Sequence, residues 1–235
     1  MTEVRPVTSP PKGETMKDGE PLFDVVGLTV RYRNAVAVDG VSFAVRRGET
    51  IALVGPNGSG KSSTLKACFG LVRPFAGKVL FMGQDITRLP PWARMSRGMA
   101  MVMQGRRLFG HMSVRENVEL AAHALADRGQ ARARVGDFFK RFPEFASRQE
   151  EPAGHLSGGQ QQALALARVS VLDPCLLLLD EPFLGLDRAN ISQVRHALDD
   201  LRRAGTTLIL AEQRQHDLAG LIDRYLHFEA GSLVG

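Results

Sequence analysis

Gly55-Pro56-Asn57-Gly58-Ser59-Gly60-Lys61-Ser62-Ser63 is the stretch that leaves this chain the least freedom. It follows an apolar run, Thr50–Val54, and precedes Thr64–Phe69, which can continue as a helix until Gly70. Strand, glycine loop and helix in that order make a cradle for phosphate. Gly55, Gly58 and Gly60 let the backbone turn tightly and approach an anion with no side chain in the way. The loop then aims several backbone N–H groups, and the positive end of the following helix, at one point. Lys61 brings a full charge to the outer phosphates of a nucleotide, and the Ser62 hydroxyl suits Mg²⁺.

The rest of the chain reads as one α/β unit around that loop. Its 235 residues are 44% hydrophobic, enough for a real core, and no internal repeat is visible. Residues 1–20, punctuated by Pro6, Pro10, Pro11, Gly13 and Gly19, read as a flexible tail with no apolar leader. No apolar run reaches the roughly 18 residues of a membrane span. The net charge of +5 is scattered among acids rather than gathered in a block. A solvated arginine-rich surface is therefore expected, with no nucleic-acid partner, and contact with acidic lipid headgroups stays open. Cys68 and Cys175 lie in apolar surroundings and are expected to be buried thiols, with a disulfide left open.

Within residues 21–235, Leu22–Val26, Leu28–Tyr32 and Val41–Val45 are β-rich, and Val41, Phe43 and Val45 alternate as one buried face. Tyr32 is equally an edge aromatic packed on the core or a platform for an adenine ring. Roughly 85–162 is richer in Arg, Met and Ala and reads as a mainly helical insertion. It holds a helix start at Pro90-Pro91, a strand at Met99–Met103, a capping box at Ser113 and Glu116 leading a helix through Ala126, and a helix over Val135–Phe142. Ser157, Gly158 and Gly159 open a helix expected over Gln161–Leu172 and form either a second anion-binding terminus or a plain cap. Cys175–Leu179 is an unbroken apolar run that ends in Asp180-Glu181, the pattern of a buried parallel strand with chemistry at its C-terminal edge. Ala189–Arg203 is an amphipathic helix with Ile191, Val194, Leu198 and Leu201 on one face, and Thr207–Ala211 is a further buried strand ending at Glu212-Gln213. A short helix over Asp217–Asp223 and a hairpin over Tyr225–Val234 close the chain.

Tyr32, the Gly55–Ser63 loop, Gln104, Leu156–Gln160, Asp180-Glu181, Leu186-Asp187 and Gln213 occur in that order. The series resembles the ATP-binding subunit of an ABC transporter over nearly all of Leu22–Val234. The resemblance implies a RecA-like P-loop NTPase core with an antiparallel β subdomain and an inserted α-helical subdomain. It implies that Tyr32 stacks on the adenine of ATP and that the loop, including Pro56, Asn57, Ser59 and Ser63, wraps the phosphates. Ser62 and Gln104 would contact Mg²⁺, Asp180 would hold it through water, and Glu181 would be the general base for the attacking water. Ser157, Gly158, Gly159 and Gln160 would cap the γ-phosphate of a partner subunit, with Asp187 at the dimer seam. The helical insertion would dock a membrane permease.

Gln104–Phe109, Met112–Asn117 and Ala211–Gln213 are similar to importers of branched-chain and other hydrophobic amino acids, or of urea and short amides. Gln213 stands where most of the family carries histidine; its amide can donate to the γ-phosphate but cannot carry an imidazolium charge. His216 is expected to be an ordinary surface histidine. The subgroup often has glutamate at the positions of Gln104 and Gln160 and often lacks an aspartate at that of Asp187. The partners implied are permease subunits, a second ATP-binding subunit (a copy or a related chain) and, indirectly, a binding protein. The location implied is peripheral, on the cytoplasmic face of the cell membrane. The alternatives are a soluble ABC ATPase acting on nucleic acid or the ribosome, and an exporter ATPase.

Overall fold

A strand with no polar alternation needs cover on both faces, and the three apolar runs obtain it. The structure, a computed structural model, describes residues 20–105, 108–125 and 127–234. The tail expected at the start lies, but for Glu20, outside the described residues. In chain order the elements are β1 (Phe23–Tyr32), β2 (Ala35–Val45), β3 (Thr50–Val54), α1 (Lys61–Phe69), β4 (Ala76–Phe81), β5 (Gln84–Asp85), α2 (Pro91–Met95) and β6 (Met99–Val102). They continue as α3 (Val114–Ala122), α4 (Arg128–Arg141), α5 (Pro143–Ala146), α6 (Gly158–Ala167), β7 (Leu176–Asp180), α7 (Arg188–Arg203), β8 (Thr207–Glu212), β9 (Arg224–Glu229) and β10 (Ser232–Val234).

The main sheet has the order β10-β9-β3-β8-β7-β6, parallel except for β10. Its central strands alternate between two cores. Ala52, Val54, Leu177, Leu179, Leu208 and Leu210 face a core shared with α3, α4, α6 and α7. Ile51, Leu53, Leu176, Leu178, Ile209 and Ala211 face one shared with α1 and the antiparallel sheet β2-β1-β4-β5. The helical layer has its own aromatic centre, with the Phe138 ring 5.0 Å from Phe142 and 6.1 Å from Phe145. Cys68 is wholly buried, which pushes its thiol up to about 12; no disulfide joins it to Cys175, which is half-buried rather than buried as expected. Among the described residues no helix is long and apolar enough to cross a membrane.

Several boundaries differ from the sequence expectation. Leu22–Val26 and Leu28–Tyr32 are one strand, β1, because a bulge at Gly27 (φ 59°) absorbs the turn residue without ending the pairing. The stretch over 85–162 is not uniformly a helical insertion, since β6 pairs with β7 inside the main sheet. The α3 capping box forms at Ser113 and Glu116, but the helix ends at Ala122 rather than Ala126. Helix α4 begins at Arg128 rather than Val135, because the Asp127 carboxylate accepts from the amides of Gly129 and Gln130 and caps it there. Helix α6 tightens after Ala167 into a 3-10 turn over Arg168–Leu172. The expected helix over Asp217–Asp223 is instead a 3-10 turn over Gln215–Leu218.

One buried charge fastens the P-loop helix. Arg94 on α2 is 0% exposed. Its Nη1 donates to the carbonyls of Ala67 (3.0 Å) and Cys68 (2.7 Å), its Nε to Leu89 (3.0 Å) and its Nη2 to Thr87 (2.9 Å). The guanidinium thus sits at the negative end of α1 and satisfies carbonyls the helix leaves open. Gly70 must lack a side chain here: a Cβ would come within 2.8 Å of Arg94 Nε. Replacing Arg94 by Met removes the donor from the carbonyls of Cys68, Leu89 and Thr87, while that of Ala67 keeps the Gly70 amide, at a cost of about 3 kcal/mol. Thermal unfolding should show a Tm lower by roughly 6–12 °C. Arg94→Lys should recover only part of it, because three ammonium donors cannot serve four carbonyls in one plane. An unchanged Tm in Arg94→Met would remove this role.

Candidate functional site

Parallel strands with aligned ends deliver their C-terminal residues to one edge. Val54 is registered with Glu212, and Asp180 with Ala211, so the loop after β3, the Asp180-Glu181 pair and Gln213 emerge side by side. At Gly55 and Gly60 the loop turns against neighbours that leave no room for a side chain. A Cβ at Gly55 would lie 2.1 Å from the Phe228 carbonyl oxygen, and one at Gly60 (φ 105°) would lie 2.6 Å from that of Ala37. Helix α1 starts at Lys61 with no side-chain cap, so its first amides point into the loop.

A cleft of about 110 Å³ is lined by Ala37, Asn57–Ser63 and Glu181. Lys61 is 3% exposed, and its Nζ donates to the carbonyls of Gly55 and Pro56, both at 2.8 Å, and to Ser59 Oγ at 3.4 Å. Burial lowers its pKa from the ordinary 10.5, against the raising pull of Glu181, Asp180 and Glu212. A desolvated ammonium at the start of a helix is therefore ready to be compensated by an anion. Ser62 Oγ donates to Asp180 Oδ1 at 2.6 Å, and Gln104 Nε2 donates to Glu181 Oε2 at 3.0 Å. The donors in this corner are a hydroxyl, an amide and two carboxylates. No group of three or more His, Cys, Asp or Glu that could hold a metal ion occurs among the described residues. The set fits a hard cation that takes few protein ligands and completes its shell with phosphate and water, as Mg²⁺ does.

Glu181 is held in an uncommon conformation, φ 50°. Two bonds secure it. Its own N–H donates to the Ala211 carbonyl at 2.9 Å, and the amide of Phe183 donates to Glu212 Oε1 at 2.9 Å. Glu212 is 5% exposed and also accepts from the Gln213 amide, at 3.3 Å. Sequence reasoning gave Glu212 no role, although a carboxylate closing an apolar strand beside Gln213 was the available signal. Ala37, which contributes a wall and a carbonyl, carried no signal at all.

Not all the expected residues meet here. Tyr32 ends β1 with its ring 43% exposed, across the β1–β2 hairpin from Ala35 and near the Ala37 wall. Gln213 lies at the right edge with an exposed side chain. Leu156–Gln160 and Asp187 do not line the cleft and form a second cluster. Ser157 caps α6 by accepting from the Gln160 amide, and Gln160 Oε1 accepts in return from the Ser157 amide at 3.0 Å. Asp187 caps α7 by accepting from the Asn190 amide at 2.8 Å and from Asn190 Nδ2 at 2.9 Å. The two caps abut, since a Cβ at Gly159 would fall 2.1 Å from Asn190 Oδ1.

The ABC transporter family profile matches residues 38–184. The chain belongs to the ABC transporter family. It is 36% identical over 212 residues to the high-affinity branched-chain amino acid transport ATP-binding protein BraG of Pseudomonas aeruginosa, covering 90% of each chain. It is 33% identical to the putrescine transport ATP-binding protein PotG of Escherichia coli, covering 95% of this chain and 59% of that one. Among solved structures it resembles cbiO1 from Clostridium perfringens, part of the cbiONQ transporter complex (TM-score 0.81, 28% identity, 92% and 87% covered). The ADP conformation of MJ1267, an ATP-binding cassette of an ABC transporter, shares the fold (TM-score 0.82, 23% identity, 92% and 90% covered). The fold is therefore the ABC ATPase fold, and the loop at Gly55–Ser63 belongs to an ATP-binding subunit of this family.

The loop geometry separates two glycines that look alike in sequence. Gly55→Ala must displace the Phe228 carbonyl and should cost roughly 2–4 kcal/mol in urea unfolding. Gly58 has φ 78° with nothing within 4 Å of an added Cβ. Gly58→Ala should then cost about 1 kcal/mol, the backbone penalty alone. Equal losses at the two positions would contradict the described packing.

Proposed function

We propose that this chain hydrolyses ATP to drive an importer of branched-chain or other hydrophobic amino acids. The observation that carries the substrate class is the likeness to BraG, which runs the length of both chains. The relatives named for putrescine and 2-aminoethylphosphonate are longer, with 59% and 56% of their lengths covered. In this reading the chain is peripheral to the cytoplasmic face of the membrane. It pairs with a second ATP-binding subunit and docks permease subunits, which receive substrate from a binding protein. The exposed Phe109 and Leu184, 55% and 57% accessible, flank the Gln104 loop and give the permease an apolar footing. Leu184 also borders a groove of about 540 Å³ with Gln104, Gly105 and Glu181.

The chemistry assigned to the site follows from its charges. Tyr32 offers its exposed face to the adenine. The amides of Asn57–Ser63 and the Lys61 ammonium hold the phosphates and offset the charge that builds as the terminal phosphoryl group leaves. Ser62, Gln104 and Asp180 would hold Mg²⁺, whose chemistry is to neutralise that same charge. Glu181 orients the attacking water and takes its proton. Gln213 donates an amide hydrogen bond to the γ-phosphate. The Ser157 hydroxyl and the amides of Gly158 and Gly159 cap the γ-phosphate of the partner subunit's nucleotide, with Asp187 at the seam. Gln160 keeps its amide oxygen in the cap of its own helix, so its contribution to that γ-phosphate is a hydrogen bond donated by Nε2.

Glu181→Gln keeps the shape of the side chain and removes the base. It should lower kcat by roughly a hundredfold or more while ATP binding persists and a nucleotide-bound dimer accumulates in size-exclusion chromatography. Hydrolysis near the wild-type rate would sink the assignment. For the substrate class, cells carrying Lys61→Ala should lose uptake of labelled leucine, isoleucine and valine but not of putrescine. A tagged chain drawn from native membranes with ATP should bring permease subunits and a second ATPase. Recovery of ribosomal proteins or nucleic acid without a permease would overturn the transport reading.

A further inference from the structure

The Ser157 turn is held by more than its own helix. An amide oxygen at the third helical position closes a capping box less strongly than a carboxylate does. Here Gln160 Oε1 takes a second donor, Arg148 Nη1, at 2.7 Å. The guanidinium is itself fixed by a fork on Glu151, Nε to Oε2 at 2.6 Å and Nη2 to Oε1 at 2.7 Å. Glu151 neutralises Arg148, so the arginine acts as a directed donor and brings no net charge to the positive end of α6. Glu151 is anchored in turn by its backbone: its carbonyl accepts from the Val114 amide at 2.9 Å, at the start of α3. An unbroken series thus runs from α3 through Glu151, Arg148 and Gln160 to the Ser157 amide.

We infer that Arg148 is a positioning residue for the Ser157 turn, holding Gln160 in the cap so that the Ser157 hydroxyl and the Gly158 and Gly159 amides face a nucleotide in one fixed geometry. The inference rests on the reading in which this turn caps the partner's nucleotide. A loose cap would leave ATP bound at the chain's own loop and weaken the closed dimer, so the effect falls on kcat rather than on KM. A cavity of about 300 Å³ bordered by Phe145, Arg148, Gln160, Ala163, Gln193 and His196 lies beside the guanidinium. A small cation can enter by it when the side chain is truncated.

The test uses the full chain, with hydrogen exchange on the purified protein and ATPase rates on the complex drawn from membranes through its tag. Arg148→Ala should speed exchange of the Ser157 and Gln160 amides about threefold or more, with α1 amides unchanged. It should lower kcat roughly tenfold, the loss of one charge-assisted hydrogen bond, with KM for ATP within about twofold. Guanidinium ion, and not sodium at equal ionic strength, should restore both. So should Gln160→Glu in the Arg148→Ala background, since a carboxylate closes the cap unaided. If Arg148→Ala does not fold, Arg148→Gln carries the same readouts. Ser157→Arg is the control. If it leaves hydrolysis intact, the partner-capping reading fails. If it abolishes hydrolysis while Arg148→Ala leaves either the Ser157 amide or kcat unchanged, the inference about Arg148 alone is overturned.

Discussion

Parallel pairing of strands buried on both faces is the constraint on which the site depends. Because β3, β8 and β7 are parallel neighbours in register, their C-terminal ends reach the sheet edge together. The two-sided apolar cover forbids a slip, since moving a strand by one residue would exchange its faces between two differently shaped cores. Hence a loop, a carboxylate pair and a glutamine separated by more than a hundred residues of chain are brought to one edge by backbone hydrogen bonds alone.

The edge itself is electrostatically unfinished. Lys61 is desolvated, and its ammonium is met by neutral carbonyls at bonding distance, while Asp180, Glu181 and Glu212 act on it through space. Asp180 is 3% exposed, and its Oδ1 accepts from the Ser62 hydroxyl. Opposite charges placed close together without direct pairing stay able to bind a further partner. The lysine and helix terminus suit an anion, and the carboxylates suit a hard divalent cation. The same logic gives Glu212 its place. It is buried beside these groups and accepts from the backbone amides of Phe183 and Gln213, so it shapes the turn that strains Glu181.

What was legible in the sequence was local. The glycine loop, the apolar strands and the Ser113 capping box each state their structure within a few residues, and each formed where it was read. Asp127 as a cap was equally local and was overlooked, which misplaced the start of α4. At Ser157 the expected alternatives were an anion-binding terminus or a plain cap, and the structure shows the turn forming a capping box with Gln160. Arg94 and Arg148 were not legible. A long side chain whose partners are backbone carbonyls or another helix's cap leaves no period in the sequence, and tertiary packing alone decides what it meets. Asn117 belongs with them. It reads as a surface residue of α3, yet it is 0% exposed.

Asn117 explains how the two clusters remain in a fixed relation. Its side chain accepts from the Phe109 amide and donates to the carbonyls of Phe109, Met112 and Ser113, which folds the segment over 109–113 into one shape. That segment is paired across to the one before the Ser157 turn: Gly154 donates to Gly110, Ala153 to Met112, and Val114 to Glu151, all by backbone bonds of 2.9 Å. The segments 110–114 and 151–154 are therefore a hydrogen-bonded pair. A hinge on either side of such a unit moves it as a body, because bending it internally would strand buried amides and carbonyls.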